Sequence, residues 1–382
     1  MLQASVSRKG PDPEWDSFLE TRPDCCYQQS SLWAKLKAAG GWKHLRLVVR
    51  EHDKIVGGAQ MLLRPLPLFG VIGYVPKGPI VASEDLAVQE FVLDQMERVA
   101  RAEHIFFLKM QPPLGADGVA QRLLERGAYQ NDINVVPMAT PLVDIRPEPE
   151  AILARMPATR RSNIRRAERR GVTVRDGTEA DIPTFHHLMG IHAKRQGYGF
   201  ASENYIHNLW SLFAPVGHFC LMLAEYEGEA LAASTNIRFG DTVINQFQAD
   251  SGRHRNLNAN SLLHWKVMLW GKERGCAWYD IGGIDMEVVR AIVNDEPLPK
   301  TGPGGRASFK MSFGSQMVFR PCAYDVSYLW PKRLTSRMIP VLIKLRPVLD
   351  FLIGGSLSLH VRRPWLSDRR RDQEGSKDTS TE

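Results

Sequence analysis

The sequence predicts a mixed α/β (α+β) fold in which two domains with the same order of elements follow one another. Its 382 residues are enough for two domains of ordinary size. With 43% hydrophobic and 24% charged residues, the composition is typical of a globular protein with packed cores. A pattern of β-hairpin, strand, helix and closing strand occurs twice along the chain, which indicates a tandem repeat.

The elements of the two repeats follow from runs of apolar residues and from turn signals. Hairpins are predicted at 44–62 and 219–237, where two apolar strands flank a short polar turn. Amphipathic helices at 86–103 and 259–274 each lead to an apolar closing strand. A proline-punctuated linker at 141–149 separates the repeats. We predict a first domain at 1–146 completed by a chain return at 321–360, a second domain at 147–320, and a charged, disordered tail at 361–382.

This order of elements is that of the acyl-coenzyme A N-acetyltransferases, so we expect two tandem acetyltransferase-like (GNAT-like) domains. In that fold an R-x-x-G-x-G/A loop before the central helix cradles a pyrophosphate with its backbone amides. The matching loop here spans 255–260, and Asn258 and Asn260 occupy the two glycine positions. Because a side chain there obstructs the phosphate, we expect no coenzyme A and predict no cofactor.

Other classes of protein are disfavoured by composition. The chain has no apolar run of about eighteen residues and no apolar region at its N-terminus, so neither a membrane span nor a secretory signal is expected. Five cysteines without a CxxC pair indicate a cytoplasmic protein without a disulfide framework. His186, His187 and His192 lie on one predicted helix, but no carboxylate or thiol completes a ligand set, so no metal site is predicted.

Basic charge is concentrated in two segments of a chain whose net charge is +7. Between 151 and 175 there are eight arginines and one acidic residue, Glu168, and most of them lie on a predicted helix at 158–170 that ends at Gly171. Uncompensated arginines indicate a phosphate-bearing partner, of which nucleic acid is the simplest, whereas a solvated helix is the alternative. The second segment is 331–382, and its part 331–353 is either a helix packed on the first domain or an interfacial helix in peripheral contact with anionic lipid.

The most specific local pattern is a strand that ends in Asp-Ile-Gly-Gly at 280–283, followed by a lysine between aromatic residues at 309–313. Such a strand end offers a carboxylate and two flexible backbone positions at the edge of a sheet. A packed turn with a surface lysine is the alternative interpretation.

Six motifs occupy 29–37, 73–79, 108–113, 159–167, 279–284 and 309–310. Taken together, they resemble the Fem family of aminoacyl-tRNA-dependent peptidyltransferases, which build the interpeptide bridge of peptidoglycan. The resemblance covers about 25–325, and the lack of a long heptad insertion is similar to the short FemX-like form without a coiled-coil arm. The family fold, two tandem acetyltransferase-like domains, agrees with the repeat.

The resemblance implies roles for particular residues. Phe309 and Lys310 match a pair implicated in the reaction and in binding the aminoacyl-tRNA end, and Lys37 matches a lysine that contacts the phosphates of the acceptor. Two positions depart from a short relative: Gln111 replaces an acidic residue and Ala201 a phosphate-binding arginine. The expected substrate-binding residues are Trp33, Lys37, Tyr74, Gln111, Tyr205 and Asp280, and the expected tRNA-binding residues are Arg160, Arg161, Arg165, Arg166, Arg169 and Arg170.

The resemblance therefore implies an aminoacyltransferase that moves an amino acid from aminoacyl-tRNA to an amine of a peptidoglycan precursor. The acceptor would be a lipid-linked or UDP-linked muropeptide, and the enzyme would work in the cytoplasm or at the inner face of the membrane. One alternative is a tRNA-dependent or acyl-dependent N-acyltransferase for a small metabolite or peptide natural product, which the departures at Gln111 and Ala201 favour. Another is a non-catalytic RNA-binding module. The sequence predicts no particular amino acid, general base or oligomeric state.

Overall fold

In a computed structural model of the protein, two mixed β-sheets are each covered by helices, which confirms the predicted fold class. The structure describes residues 1–23, 26–66, 70–82, 84–131, 134, 136–298 and 302–328. The predicted helix at 331–353 and the tail at 361–382 lie outside these ranges, so their predictions stand as made.

The first half of the chain builds one of the two sheets. Its elements are β1 (Leu2–Ser7), α1 (Pro13–Glu20), α2 (Ser31–Ala38), β2 (Lys43–Glu51), β3 (Lys54–Leu66), β4 (Gly70–Pro76), β5 (Ile80–Val81), α3 (Leu86–Ala102), β6 (Ile105–Gln111), α4 (Asp117–Glu125) and β7 (Tyr129–Asn131).

The remainder of the described chain builds the other sheet and returns one strand to the first. Its elements are β8 (Ala139–Asp144), α5 (Pro149–Ala154), α6 (Ala158–Arg169), β9 (Thr173–Asp176), α7 (Ile182–Gln196), α8 (Glu203–Phe213), β10 (Phe219–Tyr226), β11 (Glu229–Phe239), β12 (Thr242–Asp250), α9 (Ala259–Glu273), β13 (Trp278–Asp280), α10 (Met286–Val293), α11 (Pro303–Met311), β14 (Gln316–Phe319) and β15 (Ala323–Val326).

The strand order shows where the chain passes between the sheets. Among the described residues the first sheet runs β1-β2-β3-β4-β6-β15-β7, with β5 paired to β3, and the second runs β14-β8-β13-β12-β11-β10-β9. Strand β15 pairs with β6 and β7, so the chain re-enters the first sheet within the region predicted to return to it. Strand β8 precedes the predicted boundary at 146 but pairs with β13 and β14 in the second sheet.

The two repeats differ where their central parallel strands meet. In the first repeat β4 and β6 stay paired from Val71 to Pro76, and the Gly78 amide extends the contact by donating to the Gln111 carbonyl at 2.9 Å. In the second repeat the parallel register of β12 and β13 covers three residue pairs and ends at Asp280. A bulge in β12 at 245–247, opposite Thr235 and Asn236 of β11, lies just beyond this end. The second repeat is therefore open at the point where the first is closed.

A shared hydrophobic core joins the two halves. It includes Trp15, Tyr27 and Trp33 from the first half, and Phe185 and Phe213 from the second. Tyr27 contacts both Trp33 and Phe213 edge to face, with ring centroids 5.3 and 6.4 Å apart. The region between the sheets is consequently lined by aromatic side chains from both repeats.

Candidate active site

Lys310, in the last turn of α11, reaches back to the loop that follows β13. Its Nζ donates hydrogen bonds to the carbonyl oxygens of Gly282 at 3.1 Å and Gly283 at 2.8 Å. Gly282 has a φ of +91°, and a side chain there would meet the Asn245 carbonyl oxygen at 3.2 Å, so the close approach requires glycine. Burial lowers the pKa of the half-buried Lys310 to about 8, against the opposing effect of Asp280 and Asp285.

Asp280 fixes the shape of this loop. Its carboxylate accepts hydrogen bonds from the Gly282 amide at 2.8 Å and from Arg320 at 3.3 Å, and from the hydroxyl of Thr140. The side chain is buried and its oxygens are engaged within the protein. The expectation that Asp280 contacts substrate is therefore corrected: this carboxylate holds the loop whose carbonyls bind Lys310.

Phe309, the neighbour of Lys310, belongs to a compact cluster with Phe313, His264 and Arg160. The rings of Phe309 and Phe313 meet edge to face at 5.3 Å, and the imidazole of His264 lies 5.6 and 5.2 Å from them. The guanidinium of Arg160 lies 4.2 Å from the Phe309 centroid and 4.7 Å from that of Phe313. The cluster connects α6, α9 and α11.

His264 was not expected in the site from the sequence. Its Nδ1 lies 2.6 Å from the hydroxyl of Tyr279, and burial, with the charges of Lys310 and Arg160, lowers its pKa to about 3. The imidazole is therefore neutral over the physiological pH range. The available signal was a histidine inside an apolar stretch of α9, between Leu263 and Trp265, since a buried polar side chain needs a hydrogen-bond partner.

A second cluster surrounds Lys37 on α2. Its Nζ lies 4.5 Å from the ring of Trp33 and 5.5 Å from that of Tyr205, which belongs to α8 of the second repeat. Burial lowers the pKa of Lys37 to about 8. Burial raises the pKa of both Tyr74 and Tyr205, and the proximity of Tyr205 raises that of Tyr74 further. Both phenols therefore stay neutral. Four of the expected substrate-binding residues, Trp33, Lys37, Tyr74 and Tyr205, are thus brought together from both repeats.

Strand β12 runs past both clusters. Phe247 packs against Tyr205 with ring centroids 6.4 Å apart, and the carbonyl of Asn245 faces Gly282 beside Lys310. Gln246, between them, accepts a hydrogen bond from the Tyr27 hydroxyl at 2.5 Å. One bulged strand segment therefore links the surroundings of Lys37 to those of Lys310.

Gln111 is fully buried and is not accessible to a substrate. Its amide nitrogen donates to the carbonyls of Val136 and Pro321, both at 3.1 Å, and its amide oxygen accepts from the Val136 amide at 2.9 Å. The expected substrate contact is therefore corrected to a structural role, in which Gln111 ties β6 to two loops. Ala201 is likewise buried.

The arginines of α6 and of the position directly after it differ in how far they are exposed to solvent. Arg165, Arg166 and Arg169 are exposed, and we call these three residues the arginine face. The single acidic residue of the helix, Glu168, pairs with Lys266 of α9 at 3.0 Å. Arg170 is exposed and donates to the Asn256 carbonyl at 3.2 Å, whereas half-buried Arg161 donates to the Met156 carbonyl.

Arg160 departs from the sequence expectation. It is 9% exposed and lies inside the Phe309 cluster, so the expected phosphate contact at the helix surface is corrected. Helical periodicity could have shown this, since Arg160, Ile164 and Ala167 are spaced four and three residues apart and all three are buried.

Asn258 adopts the left-handed conformation, with φ +59°, directly before α9. His192 Nδ1 contacts the Asp250 carboxylate at 2.7 Å. In the described ranges no group of three or more His, Cys, Asp or Glu side chains is arranged to hold a metal. None of the helices described there is both long and apolar enough to cross a membrane.

The fold and the site define the class of protein: tandem acetyltransferase-like domains, the architecture of acyltransferases. Residues 158–288 match the family model described as acetyltransferase (GNAT) domain, and residues 11–122 match the FemAB family. The FemAB match covers less than a third of the chain, and over residues 11–122 the chain is similar to that family.

The chain is also similar to individual proteins, over different lengths. The chain is 26% identical over 227 residues to lipid II:glycine glycyltransferase of Staphylococcus saprophyticus subsp. saprophyticus, covering 56% of this chain and 55% of the relative. It therefore spans about half the length of that curated relative. In fold it is similar to the crystal structure of FemX, with a TM-score of 0.77, 19% identity, and coverage of 87% of this chain and 99% of FemX. A tandem GNAT protein from the clavulanic acid biosynthesis pathway is more distant, with a TM-score of 0.52, 13% identity, and coverage of 86% of this chain and all of that one.

Proposed function

We propose that this protein is an aminoacyltransferase that moves an amino acid from aminoacyl-tRNA to an amine on the stem peptide of a peptidoglycan precursor. The observation that carries the proposal is the ammonium of Lys310, held by two carbonyls at the open end of β13, beside an aromatic cluster. The relatives named lipid II:glycine glycyltransferases support the class of acceptor.

The reaction needs position and charge stabilisation more than it needs strong acid or base groups. The acceptor amine attacks the carbonyl carbon of the tRNA ester, a C–N bond forms, and the carbonyl oxygen becomes an oxyanion. The C–O bond to the terminal ribose then breaks, the ribose oxygen takes up a proton, and the attacking nitrogen releases one. A positioned donor at the oxyanion is the largest single contribution in acyl transfer of this kind.

Lys310 is suited to be that donor. An ammonium carries three N–H groups, and two of those on Lys310 bind carbonyl oxygens, which leaves one for an oxygen of the substrate. With a pKa of about 8 the side chain is mostly charged at neutral pH. Phe309 beside it offers a ring face to the terminal base or ribose of the donor.

Lys37 is suited to bind the phosphates of the acceptor. Its charge is half-buried between the rings of Trp33 and Tyr205, where an anion would meet little competition from water. Lipid-linked and UDP-linked muropeptides both carry a pyrophosphate, and a lipid-linked acceptor would place the reaction at the inner face of the membrane. The arginine face would hold the tRNA backbone.

The test is an incubation of the purified protein with total charged tRNA and a panel of amine acceptors. We expect deacylation of the tRNA that depends on a lipid-linked or UDP-linked muropeptide, with the amino acid recovered on the acceptor. Transfer to small amines but not to muropeptides would favour an N-acyltransferase for small metabolites. Binding of tRNA without turnover would favour a non-catalytic RNA-binding module. Either result would contradict the proposal.

A further inference from the structure

Arg160 is a buried cation without an ion-pair partner in the part of the chain that the structure describes. Its Nε donates to the hydroxyl of Ser312 at 2.8 Å, and its Nη1 donates to the hydroxyl of Ser261 at 2.5 Å. The flat guanidinium packs on the rings of Phe309 and Phe313. Burying an arginine against neutral groups alone is unfavourable, so its presence calls for a specific use of its shape.

The contacts of Arg160 join three helices at the point where Lys310 is held. Arg160 lies in the first turn of α6, and Ser261 in the first turn of α9, directly after the loop at 255–258. Ser312 follows α11 immediately, and its hydroxyl also donates to the carbonyl of Phe309 at 2.6 Å. The guanidinium therefore contacts α11 through the Phe309 ring and, by way of Ser312, through the Phe309 backbone.

We propose that Arg160 is a positioning residue that fixes Phe309, and with it the helix turn carrying Lys310, against α6 and α9. This inference rests on the proposed function and deepens it, because it connects the helix of the arginine face to the reacting end of the site. Arg160 acts through its forked donors and flat surface rather than through contact with RNA. A lysine at this position keeps the charge but supplies neither two divergent donors nor a planar face.

The test compares Arg160→Lys with the matched control Arg166→Lys, an exposed arginine of the same helix. The first readout is amide hydrogen exchange of residues 309–313, which needs no substrate. We expect about tenfold faster exchange in Arg160→Lys, because the opening free energy of the turn falls with the lost contacts, and no change in Arg166→Lys. Ser312→Ala, which removes one acceptor, serves as a second variant should Arg160→Lys fail to fold. It should show the same direction of change.

The second readout is transfer from charged tRNA. We expect kcat of Arg160→Lys to fall by about tenfold to a hundredfold, as a small misplacement of a reacting group does, with KM for tRNA within about twofold. In a Phe309→Leu background, Arg160→Lys should lower kcat by a further factor of less than about two. The effects should not add, because both substitutions disrupt the same packing of Arg160 on Phe309.

The outcomes separate this inference from the proposed function. If the wild-type protein transfers to no acceptor, the proposed function fails, and the exchange measurement still decides whether Arg160 fixes the turn. Unchanged exchange in a folded Arg160→Lys protein would overturn the inference. So would a raised KM for tRNA with unchanged kcat, since that result would make Arg160 an RNA contact.

Discussion

Replacing Lys310 with methionine removes the charge at the proposed oxyanion position while keeping an unbranched, flexible apolar side chain. The wild-type ammonium binds the carbonyls of Gly282 and Gly283 at 3.1 and 2.8 Å, so it is already oriented before any substrate arrives. Loss of a preorganised donor of this kind typically lowers kcat by about a hundredfold to a thousandfold, or about 3–4 kcal/mol. We expect that loss for Lys310→Met.

Stability should change little in the same variant, and the structure gives the reason. Burial lowers the pKa of Lys310 from 10.5 to about 8, which corresponds to about 3 kcal/mol of unfavourable burial of the charge at neutral pH. Methionine removes this unfavourable burial of a charge. It also leaves two carbonyl oxygens without their hydrogen-bond donor, which destabilises the fold by about 1–3 kcal/mol for each. The two effects are opposite and similar in size, so the midpoint of thermal unfolding should stay within a few degrees.

The assay is single-turnover transfer from charged tRNA to a muropeptide acceptor, with thermal unfolding measured on the same preparations. Lys194→Met, an exposed lysine on α7, is the matched control and should transfer at the wild-type rate. Transfer by a folded Lys310→Met protein within about threefold of wild type would refute the role of this ammonium.

Three further expectations concern the acceptor, the RNA and pH. Lys37→Met should raise KM for the acceptor by about tenfold or more, as loss of a charged hydrogen bond does. Replacement of the exposed Lys35 on the same helix with methionine should leave KM unchanged. A KM for Lys37→Met equal to that of wild type would exclude Lys37 from acceptor binding. Changing the three residues of the arginine face to glutamine should reduce the slope of log affinity against log salt for tRNA by about 2–3, and an unchanged slope would mean that this face does not meet RNA. Lys310 loses its proton as pH rises through about 8, whereas the arginine of Lys310→Arg stays charged. The ratio of the wild-type transfer rate to that of Lys310→Arg should therefore fall by about tenfold between pH 7 and 9. A constant ratio would show that the charge of Lys310 is not used.

Local elements of the fold were predictable because they depend on nearby residues. The helix predicted at 259–274 spans Ala259–Glu273, and the one predicted at 158–170 spans Ala158–Arg169, ending before Gly171 at φ +85°. The apolar residues of β8 were visible in the sequence, but the sheet to which the strand belongs could not be predicted. Its pairing with β13 and β14 depends on residues far along the chain.

The candidate site was predictable in part for the same reason. Trp33 and Tyr205 lie around Lys37 in the structure, and their role in binding a substrate stays a prediction of the resemblance. Residue type alone could not separate Arg160 from its exposed neighbours, nor show that the polar groups of Gln111 and Asp280 are consumed inside the protein. Burial of a polar side chain depends on its tertiary partners, and these come from distant segments, such as Pro321 for Gln111 and Arg320 for Asp280.

The central claim is that an amino acid passes from tRNA to the stem-peptide amine of a peptidoglycan precursor. Mass spectrometry of a purified muropeptide precursor, incubated with the protein and tRNA charged with isotope-labelled amino acids, tests it most directly. The proposal predicts that the precursor gains the mass of a labelled amino-acid residue on a side-chain amine of the stem peptide, and that Lys310→Met largely abolishes this gain. The proposal would be contradicted if the precursor stayed unmodified while the wild-type protein deacylated the tRNA at the same rate with and without acceptor.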